Sequence, residues 1–254
     1  MTGFTRVLLA LSGAFCCGCV GTGPERPLES YRLKRGLSEN APAVLVDVDD
    51  TIFNTERGRP MAGAARALRD LARDHVIVYL TARPTHFKFP WITYNREDCE
   101  EFLRQYGFPS GPLFTSSAWS YLFRGQGGGK IANLEQISEY GVTRVALAAA
   151  DRPHDLEAYR NNGHVDIQRT VILLIEEPDA PDPDRAALPK ELLSGEIPGS
   201  GAAWTRVVAA YRKGQLARRG VWTVSQPAGS IPKADQERGS ARRAPRSREE
   251  SSEN

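Results

Sequence analysis

Cysteine is almost absent from the part of the chain able to fold. Of four cysteines, Cys16, Cys17 and Cys19 crowd into the first nineteen residues, and only Cys99 remains beyond them. One cysteine forms no internal disulfide, so the fold does not depend on covalent staples. An excess of charge of one sign is missing too. Lys and Arg number 33 against 31 Asp and Glu, a net +2, and that balance alone argues neither for nor against nucleic acid. Repeats of the usual periods are absent. Long hydrophobic runs are also lacking: Val7 to Cys17 falls short of the roughly 20 apolar residues that a membrane span needs.

What remains is ordinary globular composition, 41% hydrophobic and 25% charged. The start has the build of a secretory signal, with a positive Arg6 ahead of the apolar run. Gly18-Cys19 resembles the cleavage point of a bacterial lipoprotein signal, in which Cys19 becomes the lipidated first residue. Cys16 stands where such sites usually carry Leu. An ordinary cleaved signal and an uncleaved anchor are the alternatives. Residues 20–42 are rich in Gly, Pro, Glu and Arg and read as a tether. Residues 225–254 carry mixed charge and almost no large apolar residues, which predicts a disordered, solvated tail and no nucleic-acid partner. The remaining stretch, 43–224, is roughly 180 residues, enough for one well-cored domain.

The centre of that domain is AVLVDVDDT, Ala43 to Thr51. Val44, Leu45 and Val46 suit a buried parallel strand. Asp47, Asp49 and Asp50 follow at once. Acids so close repel one another, and burying them unpaired is costly. A cation relieves both problems, and Mg²⁺ prefers carboxylate and phosphate oxygens. The carboxyl end of a parallel strand is also where open α/β sheets bind ligands. These residues therefore point to a metal-assisted phosphate site. The plainer alternative is an acidic turn capping the next helix.

Four more apolar segments read as strands: Val76–Leu80, Leu113–Thr115, Val145–Ala149 and Thr170–Ile175. Helical patterns separate them. Pro60 to Asp74 has Pro60 in its first turn and a core face of Ala64, Leu68, Leu71 and Ala72. Glu97–Tyr106 and Ile131–Tyr140 follow, and Ala202–Leu216 closes with Trp204, Val207, Val208 and Tyr211 on one face. Alternating strands and helices predict a three-layer, Rossmann-like α/β fold with a mostly parallel sheet. GGGK at Gly127–Lys130 is not a phosphate-binding P-loop, because Arg124 and Ile131 stand where Gly and Ser or Thr are required. Cys99 reads as packing. The aromatic patch His86 to Trp91 is either a rim over the site or a loop on the core. Arg83 pairs either with a phosphate or with an acid.

Asp47-x-Asp49-x-Thr51 resembles the first motif of the haloacid dehalogenase (HAD) superfamily of phosphatases. Thr81 at the end of the second strand, Lys130 at a helix start, and Asp151 with Asp155 after the fourth strand match its other motifs in order. The phrases YLTARP and FPSGPLF, and the run from Asp151 to Tyr159, narrow the likeness to the LNS2 domain of lipin-type phosphatidate phosphatases and phosphatidylinositol transfer proteins. The resemblance implies a Mg²⁺-dependent phosphomonoesterase. Asp47 would be the nucleophile, forming an aspartyl-phosphate, and Asp49 the acid and base. Thr81 and Lys130 would bind the phosphate. Asp47, Asp49, Asp151 and Asp155 would hold the metal, and Asp50, where many relatives have Gly, would be structural. The segment between first strand and helix is too short for an inserted domain, so at most a minimal cap covers the site. A phospholipid such as phosphatidate suits an enzyme anchored in the bacterial cell envelope through Cys19. A phosphatase for soluble or nucleic-acid phosphate esters, or a non-catalytic lipid-binding module, are the alternatives.

Overall fold

A computed structural model describes residues 23–55, 57–85, 95–116, 130–176, 188–217 and 219–227. The signal sequence, the His86–Trp91 patch and the 228–254 tail lie outside these residues. In chain order the elements are α1 (Leu28–Leu33), β1 (Ala43–Asp47), β2 (Phe53–Asn54), β3 (Arg59–Pro60), α2 (Ala64–Leu71), β4 (Val76–Pro84), α3 (Arg96–Gln105) and β5 (Leu113–Ser116). Helix α4 covers 130–139. Then come β6 (Arg144–Ala150), α5 (Pro153–Asn161), β7 (Asp166–Ile167), β8 (Arg169–Glu176), a 3-10 turn (Lys190–Leu192), β9 (Gly195–Glu196), α6 (Ala203–Arg212) and β10 (Gly220–Pro227).

The main sheet runs β5-β4-β1-β6-β8-β10-β9, with β7 beside β6. Every pairing in it is parallel. Strand alternation divides the core into two layers. Val44, Val46, Ile77, Tyr79, Leu147 and Ala149 face α2, α3 and α6. Leu45, Val78, Leu80 and Ala148 face Leu134 and Ile137 of α4 and Leu156 and Tyr159 of α5. The predicted three-layer α/β architecture is therefore what the chain adopts. From the central β1 the chain builds outward first through β4 and β5, then through β6, β8 and β10. Such a reversal opens a crevice at the carboxyl ends of β1 and its two neighbours.

Several boundaries differ from expectation. The helix predicted from Pro60 begins only at Ala64. Pro60 instead belongs to the hairpin β2–β3, paired with Phe53. The N-cap is Gly63, at φ 75°, a conformation that glycine adopts without steric cost. Only this hairpin stands between β1 and α2, so nothing like an inserted domain covers that side among the described residues. Residues 23–42, read as a tether, pack onto the domain instead. Leu28 is buried. Arg35 donates to Ala72 O at 3.3 Å and Ser110 O at 2.8 Å, and Arg96 donates to Gly23 O at 2.9 Å. At the other end the sheet runs past the expected boundary at 224, because β10 pairs with β8 over its whole length, Gly220 to Pro227. No helix among the described residues is long and apolar enough to cross a membrane.

Candidate active site

Three neighbouring strands deliver the site. β1 ends in Asp47, β4 carries Thr81 and Arg83 near its end, and Asp151 directly follows β6. Helix α5 then places Asp155 in its first turn, where the helix dipole favours a negative charge. Lys130, first residue of α4, comes in from the same side. Asp47, Thr81, Lys130 and Asp155 are almost fully buried, Asp151 is 9% exposed, and Arg83 is partly buried.

Lys130 Nζ lies 3.1 Å from Asp47 Oδ1 and closer still to Asp155 Oδ1. Oxygens of Asp47, Asp151 and Asp155 all fall within 4.8 Å of one another. Lys130 contacts Asp47 and Asp155, and the part-exposed Arg152 reaches Asp151, so two cations face three carboxylates and the group is short of positive charge. Asp155 Oδ2 is buried without a hydrogen-bond partner, as is Tyr159 Oη beside it. An orphaned buried carboxylate oxygen is costly. These facts fit a hard divalent cation, which oxygen ligands suit.

The electrostatics agree. Burial, reinforced by the neighbouring carboxylates and opposed by Lys130, pushes Asp47 well above the usual carboxylate range. Burial and Asp155 together push Asp151 up to about 7. Burial works against the Lys130 ammonium, but Asp47 and Asp155 outweigh it and raise its pKa above the ordinary lysine value. Arg152, half in solvent, lies 2.8 Å from Asp151 Oδ2.

Asp49 is not part of this group. Thr81 donates its hydroxyl to Asp49 Oδ2 at 2.9 Å. Arg83 Nε reaches Asp49 Oδ1 at 2.8 Å and Oδ2 at 3.1 Å, and Nη2 makes a further bond to Oδ1. So of the four expected metal ligands, Asp47, Asp151 and Asp155 converge, while the Asp49 side chain is held elsewhere. Of the open alternatives for Arg83, an acid is its partner in this structure.

Local backbone chemistry explains the divergence. After Asp47 the chain makes a tight turn, with Ile52 N and Phe53 N both donating to Val48 O at 3.1 and 2.9 Å. Asp50 sits at φ 49°, in the left-handed region that Asp and Asn tolerate better than most residues. Its carboxylate accepts from Thr55 N at 3.0 Å and Thr55 Oγ1 at 2.6 Å, which gives it the structural part expected. Thr51 O accepts from Trp204 Nε1 at 2.8 Å, tying the turn to α6, and Thr51 Oγ1 donates to Asp151 at 3.4 Å.

Cys99 is fully buried, and burial pushes its thiol up to about 12, as packing rather than nucleophilic chemistry requires. His154 Nε2 is 3.2 Å from Asp155 Oδ1. The contact of Arg152 with Asp151 was not read from the sequence, although DRP placed the arginine beside the acid. No protein-family model matches the chain, and no curated protein matches it.

Proposed function

We propose that the protein is a Mg²⁺-dependent phosphomonoesterase that works through an aspartyl-phosphate on Asp47. The observation that carries this reading is the convergence of Asp47, Asp151 and Asp155 on Lys130 at the carboxyl ends of adjacent parallel strands. The motif order that resembles the HAD phosphatases supports it. Asp47, Asp151 and Asp155 would hold the cation. When bound, Mg²⁺ would neutralise charge on the phosphoryl oxygens.

The residues of the chain carry the rest. The Asp47 carboxylate attacks phosphorus, a bond to the aspartyl oxygen forms, and the bond to the ester oxygen breaks. Asp49, whose side chain is 30% exposed, takes a proton from solvent and passes it to the departing alcohol. Water then attacks phosphorus, Asp49 takes the water's proton, and Asp47 is released with inorganic phosphate. Lys130, with Thr81 and nearby backbone N–H groups, offsets the charge on the transferring group. The substrate class we take is a phospholipid monoester such as phosphatidate. That choice rests on the lipoprotein-like start of the chain, with Cys19 as anchor in the bacterial envelope, and on the short β1–α2 connection.

The test uses the full chain with Mg²⁺, on p-nitrophenyl phosphate, phosphatidate in micelles and phosphorylated oligonucleotides. Phosphate release abolished by EDTA and by Asp47→Asn is the expected result, with phosphatidate preferred. Turnover that survives in Asp47→Asn overturns the mechanism. Absence of turnover on every substrate, with the chain folded and bound to anionic vesicles, replaces the enzyme with a lipid-binding module.

A further inference from the structure

Two carboxylates two residues apart have been given different cations. Asp47 faces Lys130 at 3.1 Å. Asp49 is gripped by Arg83, with Nε at 2.8 Å from one oxygen and 3.1 Å from the other. A guanidinium holds a carboxylate through two parallel bonds, which fixes its plane as well as its position.

Arg83 is not a free arm. Its side chain is only 10% exposed, against 30% for Asp49. The guanidinium lies over the Phe53 ring at 5.0 Å, and Nη1 is 3.7 Å from Cys99 Sγ. Phe53 in turn meets the Phe102 ring edge-on at 4.8 Å. Arg83 N also donates to Thr81 Oγ1 at 3.1 Å, while that hydroxyl donates to Asp49. The strand end, the hairpin and α3 thus hold the arginine, and the arginine holds the acid.

We propose that Arg83 is a positioning residue for Asp49. It fixes the carboxylate on the side of the leaving group and the attacking water, and keeps it out of the cation group formed by Asp47, Asp151 and Asp155. This inference rests on the phosphatase reading above. Its consequence is that Arg83 matters to turnover only through Asp49. A displacement of about 1 Å in a reacting group costs on the order of 100-fold in rate.

The experiment is a double-mutant cycle with the full chain and Mg²⁺. Wild type, Asp49→Asn, Arg83→Gln and the double variant are compared on p-nitrophenyl phosphate and on an alkyl phosphate, with Asp47→Asn as control. The alkyl leaving group needs a proton and p-nitrophenolate hardly does. The expected result is a kcat for the alkyl ester lowered about 10- to 100-fold by Arg83→Gln, within the range that acid–base groups contribute. KM should change little, the loss with p-nitrophenyl phosphate should be smaller, and Arg83→Gln should have no further effect once Asp49 is Asn. Arg83→Lys keeps the charge but not the two-bond grip, and should show the same pattern if the Gln variant fails to fold. Equal losses in both backgrounds overturn the proposal. So does a raised KM at unchanged kcat, which assigns Arg83 to the phosphate. Full activity in Asp47→Asn overturns the phosphatase reading itself, and is seen in the control before the cycle is read.

Discussion

Replacing Lys130 by Met tests the charge balance of the site most directly. Lys130 is 3% exposed and is the one lysine in contact with the buried Asp47 and Asp155 carboxylates among the described residues. Met keeps much of the length of the stem and removes the ammonium. Breaking a buried ion pair from one side costs about 3–5 kcal/mol, because the other charge stays buried and unpaired. For a domain of this size that is a fall in Tm of roughly 6–20 °C. The loss should be greatest at high pH. Asp47 and Asp151 already have raised pKa values in the folded chain, so the folded state holds protons that the unfolded chain has shed. Stability of the cation-free protein therefore falls as pH rises from about 4 to about 7, and without Lys130 it falls further. Mg²⁺ supplies the missing positive charge and no longer competes with an ammonium, so it should raise Tm more in the variant than in the wild type. The assay is thermal unfolding of the full chain in EDTA and in Mg²⁺, at pH 5 and pH 8. A Tm for Lys130→Met within about 2 °C of wild type in EDTA at pH 8, or a smaller response to Mg²⁺ than in the wild type, refutes this account.

Cation affinity should itself depend on pH. Binding displaces the proton that Asp151 keeps up to about pH 7, and burial raises the pKa of Asp47 as well, so affinity should rise by about tenfold or more per pH unit below pH 7. Calorimetric titration with Mg²⁺ in buffers of different ionisation heat should show more proton release at pH 6 than at pH 8, and a flat affinity between them contradicts it. Gly111→Ala tests the packing beneath the site. A Cβ there would lie 1.9 Å from Ile77 O, and the turn is bound to β4 through Tyr79 N to Pro112 O at 2.8 Å and Tyr79 Oη to Pro109 O at 2.7 Å. The clash is with backbone, so a loss of about 3 kcal/mol is expected in urea unfolding, and a loss under about 0.5 kcal/mol would show that the turn can move.

Strands β1, β4, β5, β6 and β8 were legible because each is an apolar run with polar punctuation, and their parallel pairing follows from the helices between them. What was not legible depends on contacts distant in sequence. Pro60 suits a helix start as well as an edge strand, and only the pairing with Phe53 and the φ of Gly63 decide between them. Residues 23–42 have linker composition, yet Arg35 and Arg96 fasten them to the domain through backbone carbonyls about 37 to 75 positions away. β10 mixes Trp222 and Val224 with Thr and Ser, and becomes a strand because β8 offers an unpaired edge.

The acids of the site follow the same division. That Asp47, Asp151 and Asp155 meet could be read from strand ends, because parallel neighbours bring their carboxyl ends together. The separate fate of Asp49 could not. Spacing alone puts Asp47 and Asp49 on the same strand end, and both were expected to face the metal. The turn after Asp47, closed on Val48 O and tied to Trp204, swings Asp49 toward β4 instead. There Arg83 and Thr81, themselves two residues apart on one strand face, hold it. Two carboxylates are thereby given two environments, one dry and cation-seeking, the other hydrogen-bonded and partly in water. In the proposed mechanism, Lys130 and a bound cation would hold the dry carboxylate ionised for attack, and the carboxylate open to water would exchange protons with it. In this chain it is β4, as much as the acidic motif itself, that sets the two acids apart.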